Sequence, residues 1–293
     1  MSLFTGSGVA IVTPFNSDGS INYEAFEKMI NFQIENETDA IIVCGTTGEA
    51  STLNDDEHIE AVKFVVDTVK KRIPVIAGAG SNYTSHGVEL CKRAEKAGAD
   101  GLLIVTPYYN KTTQKGLVTY YKRMAGSTNL PVIMYSVKTR TSLNISPSVV
   151  KELSDIENIV GIKEASGDVS QVAEIASICG DKIDIYSGCD DLIVPILSLG
   201  GKGVISVLAN VAPKNTHDMV MKYLEGDIKE ARRLQLDAME LVSALFCEVN
   251  PIPVKKALNF MGMNAGGYRE PLVDMEDANA QKLKKAMQNY GLI

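Results

Sequence analysis

Ile159-Val160-Gly161-Ile162-Lys163-Glu164-Ala165 is the stretch on which the fold turns. Read as a strand, its side chains alternate between two faces, with Ile159, Gly161 and Lys163 on one and Val160 and Ile162 on the other. A lysine on an otherwise apolar strand needs a reason. An ammonium buried without a partner is costly, and such a group tends to give up its proton. A neutral amine is a nucleophile whose natural target is a ketone or aldehyde, giving a Schiff base. A strand-end lysine can equally snorkel to solvent. The stretch alone leaves both open, and the rest of the chain decides.

Outward from it, short apolar runs alternate with amphipathic segments. Strands are expected at Gly8 to Thr13, Ala40 to Cys44, Pro74 to Gly78, Gly101 to Val105, Pro131 to Tyr135, the lysine stretch, Ile183 to Tyr186, and Gly203 to Val207. The intervening helices fall near Tyr23 to Glu35, Asp55 to Lys71, Thr84 to Ala97, Gln114 to Ala125, after Ser146, Val169 to Ile178, Asp190 to Leu199, and after Pro213. Ser146 before Pro147 is a good helix start. The repeat length, roughly 20 to 35 residues, is that of βα units. The strands are continuous Val/Ile/Ala runs, as parallel strands buried on both faces should be. Eight such units without a ninth strand give an α/β protein, a closed (β/α)₈ TIM barrel. A doubly wound sheet usually opens with a glycine-rich phosphate loop; here the first strand runs into Val12-Thr13-Pro14-Phe15. From Gly226 on, no strand is evident. Helices near Ile228 to Leu245, Val254 to Met261 and Glu276 to Asn289 form a C-terminal helical appendage. The division is therefore 1–226, the barrel carrying the site, and 227–293, the helical region.

The 293 residues suffice for a sizeable core. A net charge of −7, with no basic run, argues against nucleic acid or a membrane surface as partner. Cys44, Cys91, Cys179, Cys189 and Cys247 are odd in number and form no CxxC, so reduced core thiols are expected. Met1 to Thr5 shows no basic region followed by a long apolar run, and no stretch is long and apolar enough to span a bilayer, so a cytoplasmic chain is expected. His58, His86 and His217 lie far apart, and no HExxH or paired-cysteine spacing occurs, so no metal is expected.

In a barrel, residues at the carboxyl ends of strands face the active site. Collected in order, they are Gly45-Thr46-Thr47-Gly48-Glu49, Thr106-Pro107-Tyr108-Tyr109, Tyr135 with Arg140 close behind, Lys163, Ser187-Gly188, and Ile205. The loop Gly45 to Glu49 can aim backbone N–H groups and two hydroxyls at an anion, or be a plain turn. Tyr135 would point inward with Ile133, where a phenol near an imine can shuttle protons. Of the adjacent Tyr108 and Tyr109, at least one must point away. Arg140 could hold a carboxylate bidentately, or be a solvated loop residue.

Five stretches together, GTTGE (Gly45 to Glu49), TPYYN (Thr106 to Asn110), GIKEASGD (Gly161 to Asp168), GGKGVIS (Gly200 to Ser206) and NPIPVK (Asn250 to Lys255), resemble the dihydrodipicolinate synthase family along nearly the whole chain. The resemblance implies a class I aldolase-like barrel, homotetrameric. It condenses pyruvate with L-aspartate 4-semialdehyde, the first committed step towards lysine and diaminopimelate, with no cofactor beyond the covalent imine of pyruvate. It implies that Lys163 forms that imine and that Thr47 with nearby backbone holds the pyruvate carboxylate. Tyr135, Thr46 and Tyr109 would relay protons, Tyr109 reaching in from a neighbouring subunit. Arg140 would bind the semialdehyde's carboxylate, and Gly188 and Ile205 would line the pocket, Ile205 through its carbonyl. One departure is expected to loosen the backbone before Arg140: the family's Tyr-Asn-Val-Pro is here Tyr135-Ser136-Val137-Lys138.

Sister activities with the same imine are N-acetylneuraminate lyase and 2-keto-3-deoxy-sugar-acid aldolase. Thr46-Thr47 and Arg140 favour the synthase, since sialate lyases typically carry Ser-Thr and lack the arginine. A non-catalytic pyruvate-binding regulator is a further alternative, against which the full set Lys163, Tyr135, Thr46 and Tyr109 speaks. In lysine-sensitive relatives an effector site is implied at positions matching Ala50, Ser51, Asp55, His58, Asn82, His86 and Tyr108. His86 stands where a glutamate meets the effector's ammonium, and Asp55 replaces a histidine, so lysine inhibition is expected to be weak or absent.

Overall fold

A computed structural model describes residues 2–293; Met1, the first residue of the stretch read for a leader, lies outside it. Eight parallel strands close into one barrel in chain order: β1 (Gly6–Ala10), β2 (Ala40–Val43), β3 (Val75–Gly78), β4 (Gly101–Val105), β5 (Val132–Ser136), β6 (Ile159–Glu164), β7 (Asp184–Ser187) and β8 (Gly203–Ser206). Around them run α1 (Tyr23–Glu35), α2 (Asp55–Val69), α3 (Thr84–Lys96), α4 (Gln114–Ala125), the short α5 (Lys138–Thr141), α6 (Pro147–Leu153), α7 (Val169–Cys179), α8 (Ile193–Leu197) and α9 (Pro213–Leu224). The C-terminal helices are α10 (Ile228–Asp237), α11 (Met239–Leu245), α12 (Ile252–Phe260) and α13 (Asp277–Tyr290).

Local chemistry starts these helices. Asn54 and Glu57 form a capping box at α2, Thr113 caps α4, and Ser146 before Pro147 caps α6. Two helices differ from expectation. Asp190–Leu192 is a 3₁₀ turn, and α8 begins only at Ile193. A helix running from Asp190 would carry Pro195 in its interior, where it has no N–H to give and crowds the preceding turn. The segment expected as one helix from Ile228 to Leu245 breaks at Ala238, because α10 packs on α9 whereas α11 turns to pack on α13.

Two cores follow from the strand alternation. The outer one lies between barrel and helices. The inner one fills the barrel with Ala10, Ile42, Ile76, Leu103, Ile133, Tyr186 and Ile205. Phe4 stacks on Tyr186 at 4.4 Å and its carbonyl accepts the Tyr186 hydroxyl at 2.7 Å, closing the N-terminal end. The alternation expected on β6 holds from Gly161 onward only. The β5–β6 register steps from Val132↔Ile159 to Ile133↔Gly161, a bulge that leaves Val160 unpaired. Ile159 therefore joins the outer core, while Val160 packs against the inner one. The bulge puts Lys163 inward, level with Tyr135 on one side and Tyr186 on the other.

All five cysteines are free thiols. Among the described residues no helix is long and apolar enough to cross a membrane.

Candidate active site

Lys163 is buried, 5% exposed, and its Nζ lies 4.4 Å from the centroid of the Tyr135 ring, which is 7% exposed. Among the described residues no carboxylate pairs with that Nζ. Gly188, just past β7, is the reason the amine fits. A Cβ there would stand 2.6 Å from the Ala165 Cβ and 3.1 Å from Lys163 Cε. Ile205 closes the layer from β8, and the loop after it is fixed by Asp190, whose buried carboxylate accepts from the N–H groups of Val207 and Leu208 at 3.1 and 2.8 Å. Burial pushes the Asp190 carboxyl above its ordinary range.

The loop after β2 is a tight turn. The N–H groups of Gly48 and Ala50 both donate to the Gly45 carbonyl, and Glu49 N–H donates to Thr46. Thr13 Oγ1 donates to the Gly48 carbonyl at 2.7 Å. Among the described residues the Thr46 and Thr47 N–H groups are left without a carbonyl, which suits them to an anion. Gly78 at the end of β3 lets this turn sit close, since a Cβ there would lie 2.1 Å from the Cys44 carbonyl oxygen. Glu49 then leaves in the left-handed region, φ 54°.

The sequence reading gave no role to what holds this loop from the far end of the chain. Asn250 Nδ2 donates to Thr47 Oγ1 at 2.9 Å. Lys255 Nζ meets Glu49 Oε1 at 2.8 Å, both side chains closed to solvent. Arg269 N–H donates to Glu49 Oε2 at 3.2 Å. Burial holds the Lys255 ammonium below its ordinary range, with Glu49 opposing the shift. The signal was present in NPIPVK, whose lysine sits in an apolar helix, but its partner lies 206 residues away.

Arg140 stands on α5, exposed, with Nη2 donating to the Asn250 carbonyl at 2.8 Å. The loosening expected from the missing proline is countered locally. Residues 138–141 close a helical turn, and Thr141 Oγ1 is met by Thr106 Oγ1 at 3.0 Å. Ser136 Oγ accepts from Ile145 N–H at 3.2 Å.

A cavity of about 360 Å³ opens at the carboxyl ends of the strands. Its lining includes Thr46, Tyr135, Arg140 and Asn250, and continues without a break to Ala50, Ser51, Asp55, His58, His86 and Tyr108. Lys163 lies behind Tyr135 and is not part of that lining. In the side chamber, His86 Nε2 pairs with Asp55 at 2.8 Å and Nδ1 with Ser81 Oγ at 3.0 Å. His58 Nε2 donates to the Gly78 carbonyl at 2.8 Å, and burial holds its imidazole below its ordinary value. Thr47, Gly188, Ile205, Tyr109 and Asn82 are, like Lys163, not part of that lining. Tyr109, with φ 65°, is 92% exposed, and Asn82 is tied only through its carbonyl, which accepts Asn110 Nδ2 at 2.9 Å.

Away from the mouth, Glu37, His217 and Asp218 come close enough to hold a cation, but the Lys214 ammonium already meets Glu37 and Asp218 at 2.9 and 2.6 Å.

A closed (β/α)₈ barrel with one buried, unpaired amine beside a phenol at its carboxyl-end mouth has the layout of a Schiff-base-forming lyase. Comparison with known proteins narrows the class. The model of the dihydrodipicolinate synthetase family matches residues 3–290, and the chain belongs to that family. It is 56% identical to the 4-hydroxy-tetrahydrodipicolinate synthase of Caldicellulosiruptor bescii, over 100% of this chain and 99% of that one. The crystal structure of dihydrodipicolinate synthase from Thermotoga maritima superposes with a TM-score of 0.97 at 41% identity, covering 100% of both chains. That of the Cyanidioschyzon merolae enzyme with lysine bound gives 0.97 at 38%, again over 100% of both.

Proposed function

We propose that the chain condenses pyruvate with L-aspartate 4-semialdehyde to give 4-hydroxy-tetrahydrodipicolinate, working as a cytoplasmic homotetramer without metal or organic cofactor. The observation that carries the mechanism is the buried Lys163, unpaired and level with Tyr135 on the neighbouring strand. Its Nζ attacks C2 of pyruvate, water leaves, and an iminium forms. Loss of a C3 proton gives the enamine, whose C3 attacks the aldehyde of the second substrate. The substrate's own amine then attacks C2 and releases Lys163. Thr47 and the free N–H groups of its loop receive the pyruvate carboxylate. Tyr135 and Thr46 move the protons of imine formation and release, completed by Tyr109 of a neighbouring subunit, which accounts for a tyrosine so exposed in one chain. Arg140 takes the carboxylate of the semialdehyde. Gly188 keeps room for the lysine stem, and Ile205 offers its carbonyl.

The side chamber corresponds to the lysine-effector position of the family. Here its histidine and aspartate already pair with one another, so lysine inhibition is weak or absent.

Borohydride reduction in the presence of pyruvate tests the assignment. A reduced adduct is expected on the peptide containing Lys163, together with turnover on addition of aspartate 4-semialdehyde. An unmodified Lys163, or an adduct on a different lysine, overturns it.

A further inference from the structure

A hydroxyl has one proton to donate and lone pairs with which to accept. Which of these Thr47 offers to a bound anion depends on what already occupies its oxygen. Asn250 Nδ2 donates to that oxygen at 2.9 Å. Both residues are buried, at 6% and 3% exposure, so water does not compete for the contact. The lone pair facing Asn250 is thereby taken, and the O–H hydrogen is left for another acceptor. Among the described residues none is in reach, and the two Thr46–Thr47 N–H groups beside it are equally free.

The amide does little else for the fold. Its Oδ1 is buried without any partner. An asparagine kept only to fill and satisfy this corner would have both amide atoms engaged. The backbone of the same residue does a separate job, its carbonyl accepting Arg140 Nη2 at 2.8 Å.

We propose that Asn250 is a positioning residue whose side-chain amide fixes the Thr47 hydroxyl as a donor to the pyruvate carboxylate. This rests on the function proposed above. It assigns Asn250 no contact with the reacting atoms; the residue acts through Thr47 alone. The separate backbone contact to Arg140 makes the effect selective for the first substrate, because an alanine at this position keeps the carbonyl.

The test is a double-mutant cycle read as the pyruvate concentration that half-saturates borohydride trapping, which needs no second substrate. Asn250→Ala should raise that concentration roughly three- to tenfold, as for loss of one hydrogen bond. Thr47→Val should raise it more, on the order of ten- to a hundredfold, since a bond to a charged group goes. The double variant should match Thr47→Val alone. The KM for aspartate 4-semialdehyde should stay within about twofold in Asn250→Ala. Asn250→Asp supplies an independent arm if the alanine variant does not fold. A carboxylate of the same size takes the hydroxyl proton instead of giving one, so Thr47 would present lone pairs to an anion. Pyruvate binding should therefore weaken in Asn250→Asp at least as much as expected for alanine. Near-normal trapping by Asn250→Asp, or additive effects in the cycle, overturns the proposal. If the parent chain traps no pyruvate at all, the proposed function falls and this inference with it. If the parent is trapped normally and the two substitutions add, only the role of Asn250 falls.

Discussion

Replacing Lys255 by methionine removes one half of an ion pair that no solvent reaches. Its Nζ and Glu49 Oε1 are 2.8 Å apart, with side-chain exposures of 0% and 1%. The ammonium also lies 4.3 Å from the Phe15 ring centroid and 5.3 Å from that of Tyr268. Methionine fills much of the same volume, so the cavity contribution is small. What dominates is the Glu49 carboxylate, left buried with only the Arg269 N–H at 3.2 Å. Orphaning a buried charge in this way costs about 3–5 kcal/mol. For a chain of this length that lowers the melting temperature by roughly 6–10 °C, compared at one protein concentration. The double variant Glu49→Gln/Lys255→Met removes both charges and should recover most of the loss, because a neutral pair carries no such penalty. Thermal and urea denaturation of the parent, the two singles and the double measure this. Because Glu49 ends the loop that carries Thr47, half-saturation of pyruvate trapping should also shift upward in Lys255→Met. A melting temperature within about 2 °C of the parent, or a double variant no more stable than Lys255→Met, refutes the assignment of the energy to an uncompensated charge.

Gly188→Ala sets a Cβ 3.1 Å from Lys163 Cε and 2.6 Å from the Ala165 Cβ, so the lysine stem must shift. Trapping and turnover should fall by about a hundredfold in a protein that still folds, and unchanged trapping would show that the stem has room to spare. Initial rates at saturating pyruvate should stay nearly constant with lysine into the tens of millimolar range, while His86→Glu should lower half-inhibition by about ten- to a hundredfold; submillimolar half-inhibition of the parent would contradict this. The hydrogen bond that His217 Nδ1 donates to the Asp39 carboxylate raises the His217 imidazole above its ordinary value of 6.5. Its contribution to stability is therefore fully present below the ordinary value and is lost as pH rises through the folded one. The urea midpoint should drop as pH rises above the ordinary imidazole value in the parent and less so in His217→Gln, and equal slopes would discount the pair.

What the sequence revealed was what is decided locally. Tyr23–Glu35, Gly101–Val105 and Gln114–Ala125 have the boundaries read from periodicity, turn residues and caps such as Thr113. Tyr135 and Lys163 were legible as one layer because each sits two residues past an inward neighbour, Ile133 and Gly161. The bulge at Val160 was not, because it is set by the pairing of β6 with β5 and not by the composition of β6. Pro195 was a readable sign that no helix runs unbroken from Asp190, and continuous apolar character masked it. Asn250 opens the NPIPVK stretch, yet its role was not legible there. Its amide matters only because the chain brings it to Thr47, 203 residues earlier.

The same contacts bear on how the C-terminal region relates to the barrel. Segment 227–293 packs its helices against one another and against α9, which would suit a passive extension. Its polar atoms do something different. Asn250 orients Thr47, the Asn250 carbonyl tethers Arg140, and Lys255 neutralises Glu49, all at the carboxyl-end mouth. Arg269 adds bonds to the Gly19 and Thr52 carbonyls and to both carboxylate oxygens of Glu57, gripping the loop after β1 and the start of α2. The β5–β6 pairing that sets Lys163 level with Tyr135 uses no residue beyond 226. The cation of the Glu49 carboxylate, the donor to the Thr47 hydroxyl and the tether of Arg140 all come from beyond it. The strands set Lys163 beside Tyr135; the last sixty-seven residues of the chain, counted from 227 to 293, hold the groups that fix Thr47, Glu49 and Arg140 around them.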